Sequence, residues 1–424
     1  MCERPRGVVC ITLPAVQGHP PPACAVTAQI SVPSSAGVSR LAGVDVLRGL
    51  CVLLVVLHHI NLRFVLNHFP VRGALPAPLQ QVLFWSGYYA VVAFFVISGF
   101  LITGLSLRRW GSLDAVQIGS FYRMRFARIA PCLVLLLIVL SALHLAGVAD
   151  FTIRPERASL GRALAAAVTF HVNWLEGHHG YLPAGWDVLW SLSVEEAFYI
   201  VFPLAAVLLG SERLFLLLLG ALVIVGPVSR TLLGDADPWR DYAYLSCTDA
   251  IAFGCIAAVV AHRRLLGPRH LRLALTSGSL ISLLTVVLFN ENVHTGLARF
   301  GLNVTALEIG IALMVVAFGS GVGNTALARG TGWLRTVGRC SYEIYLFHML
   351  IVLALIAMVR QMHAITGTFP LWYAAMLVGS ILLGYVIARW YSEPLNRRIR
   401  TASGLVFGDG ATQPYPVRDI IAPP

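Results

Sequence analysis

Apolar residues recur along this chain in runs of about 20, the length a helix needs to cross roughly 30 Å of hydrocarbon. The runs cover about 44–66, 82–107, a third stretch ending near 147, then 186–209, 214–233, 244–261, 273–289, 304–319, 342–359 and 371–389. A further apolar piece, 164–170, is too short to cross. It sits in the polar stretch 150–185 and reads as a re-entrant or interfacial helix. Ten-residue strands of alternating hydrophobicity, the mark of an outer-membrane barrel, are absent. The pattern predicts an all-α polytopic membrane protein of about ten transmembrane helices plus that short helix.

Arginine placement orients the spans. Arg108 and Arg109 close the second span and Arg123, Arg125 and Arg128 open the third. Positive charge flanking a short loop marks the cytoplasmic side. The segments 262–272 and 329–339 and the tail from Arg397 to Arg400 are also arginine-rich. Ten crossings put all of them on one side, with both termini cytoplasmic; eleven would not. The expected location is therefore the inner (cytoplasmic) membrane, multi-pass.

Composition agrees. Of 424 residues, 57% are hydrophobic and 12% charged, about half the usual charged fraction. The net charge is +11 and all 31 basic residues are arginine. Without lysine there is no Schiff-base or lysine-nucleophile chemistry. The charge marks topology, and no basic patch interleaved with aromatics suggests nucleic acid. Eight cysteines are scattered without paired spacing, so neither a disulfide framework nor a structural metal is expected. Residues 1–40, rich in Pro, Ala, Val and Ser, are expected to be a disordered extension, and 401–424 a short disordered cytoplasmic tail.

Charge inside the spans carries the chemistry. An Arg or Asp at mid-membrane costs at least about 2.5 kcal/mol, so such groups face a protein interior and usually have a task. Arg48 and His59 are eleven residues apart. At 100° per residue they return to nearly one azimuth, about 20° apart, and about 16 Å apart along the axis. Asp45 lies one turn before Arg48, while His58 points about 80° away from that line. A snorkelling arginine or a packed histidine would each explain one residue; two on one stripe favour function. Glu195 and Glu196 lie near mid-membrane, with Ser191 and Tyr199 one turn on either side of Glu195. A buried carboxylate with a histidine is equipment for general base catalysis, although a structural ion pair or a transporter's proton relay would look similar. Arg125 and Arg128, with Arg123, are candidate phosphate ligands. His348, deep in its span, is a lesser, supporting candidate.

Six pieces in order give a resemblance. Arg48-x10-His59, Phe94 to Ile102 (FFVISGFLI), Arg125 to Pro131 (RxxRIxP), Trp190 to Tyr199 (WSLSVEEAFY), Ser341 to His348 (SYxxYLxH) and Glu393-Pro394 resemble the membrane-bound acyltransferase type 3 family over residues 41–400. Three positions depart from its pattern. Ala90-Val91-Val92 stands where Gly-Val-Asp is common, Ala197 replaces a glutamine, and Val188 lies near where a histidine often stands. The resemblance implies transfer of an acyl group, often acetyl, from cytoplasmic acyl-CoA to a hydroxyl of a carbohydrate or glycolipid acceptor. Such acceptors include surface polysaccharides, peptidoglycan, lipid-linked glycans and macrolides. It implies no permanently bound cofactor; no metal is expected, and although some members carry a hydrolase-like domain, none is expected to be attached here. The expected roles are Arg123, Arg125 and Arg128 on the donor's phosphates, Arg48 beside its arm, and His59 as base oriented by Glu195 or Glu196. The alternative is a proton-coupled transporter or flippase of a glycan or lipid-linked substrate, against which stands the lack of an internal repeat. A third reading, a non-catalytic membrane subunit, is disfavoured by the retained Arg48, His59 and glutamates. The natural start is expected nearer Arg40 than Met1; N-terminal sequencing of the native protein that finds Met1 intact would contradict this.

Overall fold

Hydrocarbon offers no partner to a backbone N–H or C=O, so an apolar segment that crosses must satisfy both within itself, as a helix does. The computed structural model describes residues 41–69, 75–289, 296–362 and 366–402. The expectations for 1–40 and for 403–424 fall outside those residues. In chain order the α-helices are α1 (Ala42–Leu66), α2 (Ala77–Phe84), α3 (Gly87–Trp110), α4 (Ile118–Leu145), α5 (Leu160–Val168), α6 (Val172–His179), α7 (Ala184–Asp187), α8 (Leu189–Leu209) and α9 (Glu212–Leu233). There follow α10 (Trp239–Tyr242), α11 (Tyr244–His262), α12 (Pro268–Leu288), α13 (Leu302–Gly319), α14 (Asn324–Ala328), α15 (Gly332–Arg339), α16 (Ser341–Gln361), α17 (Phe369–Ile387) and α18 (Glu393–Ala402).

Ten helical stretches among the described residues are long and apolar enough to cross a membrane: α1, α3, α4, Ala184–Leu209, α9, Trp239–His262, α12, α13, α16 and Phe369–Ala402. The protein is thus an all-α polytopic membrane protein, as its hydropathy pattern predicts. The non-crossing piece is a pair of helices, α5 and α6, of nine and eight residues. At 1.5 Å per residue each extends only about 12–14 Å. Two boundaries differ from the hydropathy reading. The second span begins at Gly87 rather than near 82, because the chain breaks at Trp85–Ser86 and α2 stands as its own short helix. The His58 ring Nδ1 donates to the Phe84 carbonyl at 3.2 Å, which satisfies an acceptor that the end of α2 leaves open. The last span does not stop at Arg389. A π-helical turn, Ala388–Ser392, carries it into α18. Tyr391 donates to the Pro131 carbonyl of α4 at 3.2 Å, and Ser392 to Glu343 of α16 at 2.7 Å.

Helix α1 stands between two apolar clusters. Val44, Leu47, Cys51 and Val55 pack into one with α3, α9, α11 and α13. Val52, Val56, Ile60 and Phe64 pack into the other with α4, α7, α16 and α17. Helical phase puts the first set on one side of the Arg48 azimuth and the second on the other. Arg48 and His59 therefore lie along the seam where the clusters meet. Helix α3, which packs on α1, also touches α11 backbone to backbone. A Cβ on Gly99 would meet the Ile251 carbonyl, and one on Gly254 the Val96 carbonyl, the close approach that small residues allow between membrane helices.

The α9–α11–α13 face buries charge completely. Arg230 holds Asp249 through both guanidinium ends, at 2.6 and 3.2 Å, and its Nη1 lies 3.8 Å from Glu308. All three are fully buried. Removing one member strands the others, at a cost of about 3–5 kcal/mol. Arg230→Ala is accordingly expected to lower stability by about that amount and Asp249→Asn by less, read from unfolding curves of the purified protein in detergent.

Candidate functional site

Helix α15 packs tightly on the first turns of α1, where a Cβ on Gly338 would strike the Asp45 carbonyl and one on Gly49 the Leu334 carbonyl. This contact brings the start of α16 level with Arg48, whose Nη2 donates to Ser341 Oγ at 2.9 Å. Asp45 sits in the first turn of α1, where a carboxylate complements the helix dipole. From that anchor α16 climbs beside α1 and brings His348 against His59. Their ring centroids are 4.9 Å apart and inclined at 63°.

Backbone carbonyls fix the chemistry of these two rings. His59 Nδ1 lies 2.9 Å from Val55 O, and His348 Nδ1 lies 2.7 Å from Tyr345 O. A carbonyl only accepts, so Nδ1 carries the hydrogen in each ring, and in the neutral imidazole Nε2 holds the lone pair. His348 is fully buried and its Nε2 has no hydrogen-bond partner. Two Nε2 lone pairs thus belong to neighbouring rings at the middle of the seam. His58 belongs to the neighbouring face, where its ring meets Trp85 edge-on at 6.2 Å.

The two glutamates part company. Adjacent residues on a helix point about 100° apart. Glu195 Oε1 accepts from Tyr199 at 2.6 Å and also from Ser98 of α3. Glu196 is buried and lies 3.8 Å from Arg125 Nη2. The Arg125 guanidinium stacks 3.7 Å above the Tyr199 ring, a cation–π contact that strengthens when desolvated. The expected orientation of His59 by Glu195 or Glu196 is not what the structure has: His59 takes its orientation from Val55, and both acids serve Arg125, Tyr199 and Ser98. The reason is local. A histidine at i bonds readily to the carbonyl at i−4 when its Nδ1 faces back along its own helix. Ser191, expected beside Glu195, instead shares a 2.6 Å hydrogen bond with Tyr345 OH and ties α8 to α16.

The arginines of α4 divide likewise. Arg128 Nη1 donates to Glu343 at 3.1 Å, and its guanidinium lies 5.2 Å from the Tyr342 ring. Arg123 is exposed and bonds the Gly119 carbonyl of its own helix at 3.2 Å. Arg123, Arg125 and Arg128 lie inside α4, not in a loop, because the helix starts at Ile118.

Four participants carried no assigned role in the sequence reading. Ser98 sits within FFVISGFLI, and Glu343 and Tyr345 within SYxxYLxH, so the signal was a polar residue inside a recognised motif. Asp187 is the fourth. It accepts from Tyr242 OH at 3.3 Å, and Tyr242 stacks on Trp190 at 3.9 Å. On α6, outside the spans, burial and then the Asp187 charge push the Glu176 carboxyl well above its usual range; Glu176 Oε1 accepts the Leu182 N–H at 3.0 Å.

A helical membrane bundle with an imidazole pair on its central seam, one ring buried and one half-buried, and stacked, acid-paired arginines toward one end is the class that fold and site define. The profile of the acyltransferase domain, acyltransferase family 3, matches residues 41–389, and the chain belongs to that family. Among curated proteins it is similar to the peptidoglycan O-acetyltransferase OatA of Listeria monocytogenes, at 28% identity over 73% of this chain and 49% of that protein. It is also similar to a putative O-acetyltransferase of Staphylococcus aureus, at 29% identity over 40% of this chain and 25% of the other. The O-acetyltransferase OatA of Staphylococcus aureus is 26% identical over 39% of this chain and 24% of its own length. The chain spans half or less of the length of these relatives. No solved structure matches it.

Glu343 accepts from Arg128 and from Ser392, so one carboxylate joins α4, α16 and the π turn before α18. Glu343→Ala leaves the half-buried Arg128 guanidinium short of its counter-charge and Ser392 without its acceptor, at about 1–3 kcal/mol. Hydrogen exchange should then speed up in α18 ahead of the α3–α11 contact.

Proposed function

We propose that this protein is an O-acyltransferase that moves an acyl group, acetyl in the simplest case, from acyl-CoA to a hydroxyl of a carbohydrate or glycolipid acceptor. The observation that carries this reading is the imidazole pair. His59 Nε2 holds a lone pair in the membrane interior, fixed there by the Val55 carbonyl. The family and the O-acetyltransferase names of the relatives support the reaction class. Arginine at the ends of α3, α4 and α18 supports a cytoplasmic entry for the donor and cytoplasmic termini, by the positive-inside rule.

In this mechanism the donor's phosphates rest on Arg125 and Arg128, and its arm reaches past Arg48 along the seam. The acceptor hydroxyl gives its proton to His59 Nε2, and its oxygen attacks the thioester carbonyl. The C–S bond breaks, an ester forms, and the leaving thiolate takes back one proton as free coenzyme A. His348, edge-on to His59, shares the proton between the two steps and so keeps a lone imidazolium from standing alone in hydrocarbon. Glu195 and Glu196 act indirectly. They hold Tyr199 and Arg125 in the stack that borders the donor's path.

A positioned base of this kind is worth about 10²–10⁴ in rate. His59→Ala is expected to insert and melt like the parent yet lose acceptor acylation by about that factor. Glu195→Ala should lose activity together with some stability. Purified protein with labelled acetyl-CoA and acceptor reports the step directly, because a transporter would release no coenzyme A. Full transfer by His59→Ala would sink the assignment. Mass spectrometry of glycans and lipids from a deletion strain would identify the acylated species that disappears.

A further inference from the structure

Helix α18 was expected only as a basic tail, yet it is docked against α4. The π turn at Ala388–Ser392 re-aims it there, and bonds from Tyr391 and Ser392 pin the turn to Pro131 and Glu343. One consequence is that Arg400 comes within electrostatic reach of Arg109, Arg125 and Arg128. Four guanidinium groups from α3, α4 and α18 converge at one end of the bundle. Glu196 and Glu343 already face two of them, Arg125 and Arg128, and an anion with several charges would oppose the repulsion among all four.

Unused hydrogen-bonding atoms mark the same corner. Arg400 Nε and Arg125 Nε are buried without a hydrogen-bond partner, and so is Asn396 Oδ1. Asn396 lies one turn before Arg400 on the same face of α18. An amide can be turned over with little change in shape, and in that pose Asn396 presents N–H donors in place of its oxygen. By contrast Arg397 and Arg398 of α18 are exposed. The inward members of α18 are thus an arginine and an amide with capacity to spare.

We infer that Arg400 and Asn396 on α18, with Arg109, Arg125 and Arg128, form a cradle for phosphate groups, and that its occupant is the nucleotide polyphosphate of the thioester donor. The inference rests on the donor reading given above and extends it to a helix and to three residues, Arg400, Asn396 and Arg109, that had no binding role in it. Guanidinium groups suit the task because their forked N–H groups match phosphate oxygens in pairs. A polyphosphate offsets several positive charges at once, which a single carboxylate cannot. Lipid headgroups offer the same chemistry, so the experiment must separate the two sources.

The test uses the full chain in detergent, with coenzyme A as the probe in calorimetric titration. R400Q should raise the Kd for coenzyme A at least tenfold and leave pantetheine binding unchanged. It should raise KM for acetyl-CoA in step while kcat stays within twofold. N396A should act in the same direction and less strongly. R397Q/R398Q, altered on the exposed face of the same helix, should change neither quantity. If R400Q does not melt like the parent, R400K carries the test; it keeps the charge without the fork and should give an intermediate Kd. Retention of phosphatidylglycerol, followed by native mass spectrometry, should be the same in R400Q and the parent. An unmoved Kd and KM in R400Q, or loss of the lipid with coenzyme A binding intact, would overturn the cradle. A parent protein that releases no coenzyme A from acetyl-CoA would overturn the donor reading, and the cradle's assigned occupant with it.

Discussion

The cost of charge in hydrocarbon organises this protein. A guanidinium or carboxylate facing lipid loses its hydration and gains nothing in return, so each buried one must be answered by a group within reach. Arg230 answers Asp249 and Glu308 on one side of the bundle. Arg128 answers Glu343, and Arg125 answers Glu196 while lying on Tyr199. These pairs join different helices. They therefore fix which helices are neighbours and at what level, something apolar side chains do poorly when lipid is as apolar as they are.

Helix α1 translates that rule into a site. Its apolar residues sort by phase into two clusters, and the polar stripe falls between them. Arg48 and His59 at that seam are half-buried. Arg48 can meet Ser341, and His59 can meet His348, because close backbone contact at Gly49 and Gly338 draws α15 against α1, and α16 follows directly from α15. The glycines and the imidazole pair are thus parts of one arrangement: the first sets the register that the second requires.

Legibility from sequence varied with the physics behind each feature. Span number and position were readable because each span must satisfy its own backbone, a local requirement written in some twenty consecutive residues. The Arg48–His59 stripe was readable because phase within one helix is arithmetic. Partner choice was not readable. Glu195 and Glu196 looked like natural mates for His59, but they sit on α8 and turn toward Ser98 of α3, Arg125 of α4 and Tyr199 of their own helix. Which acid meets which base depends on helix order and rotation, and neither is encoded in any one segment.

The amino-acid sequence by itself determined an all-α membrane bundle of ten crossings, its family, and the set of residues too costly to bury without a task. Tertiary structure alone decided how those residues pair. It set His348 beside His59, gave both rings a carbonyl partner that leaves the lone pair on Nε2, and used Glu343 to bind three elements together. It also turned α18 inward through a π turn to bring Arg400 to the other arginines. The reason is range. Hydropathy and helical phase act within about twenty residues, whereas these contacts join helices up to some 300 residues apart, and only the packed bundle brings them within a few ångströms.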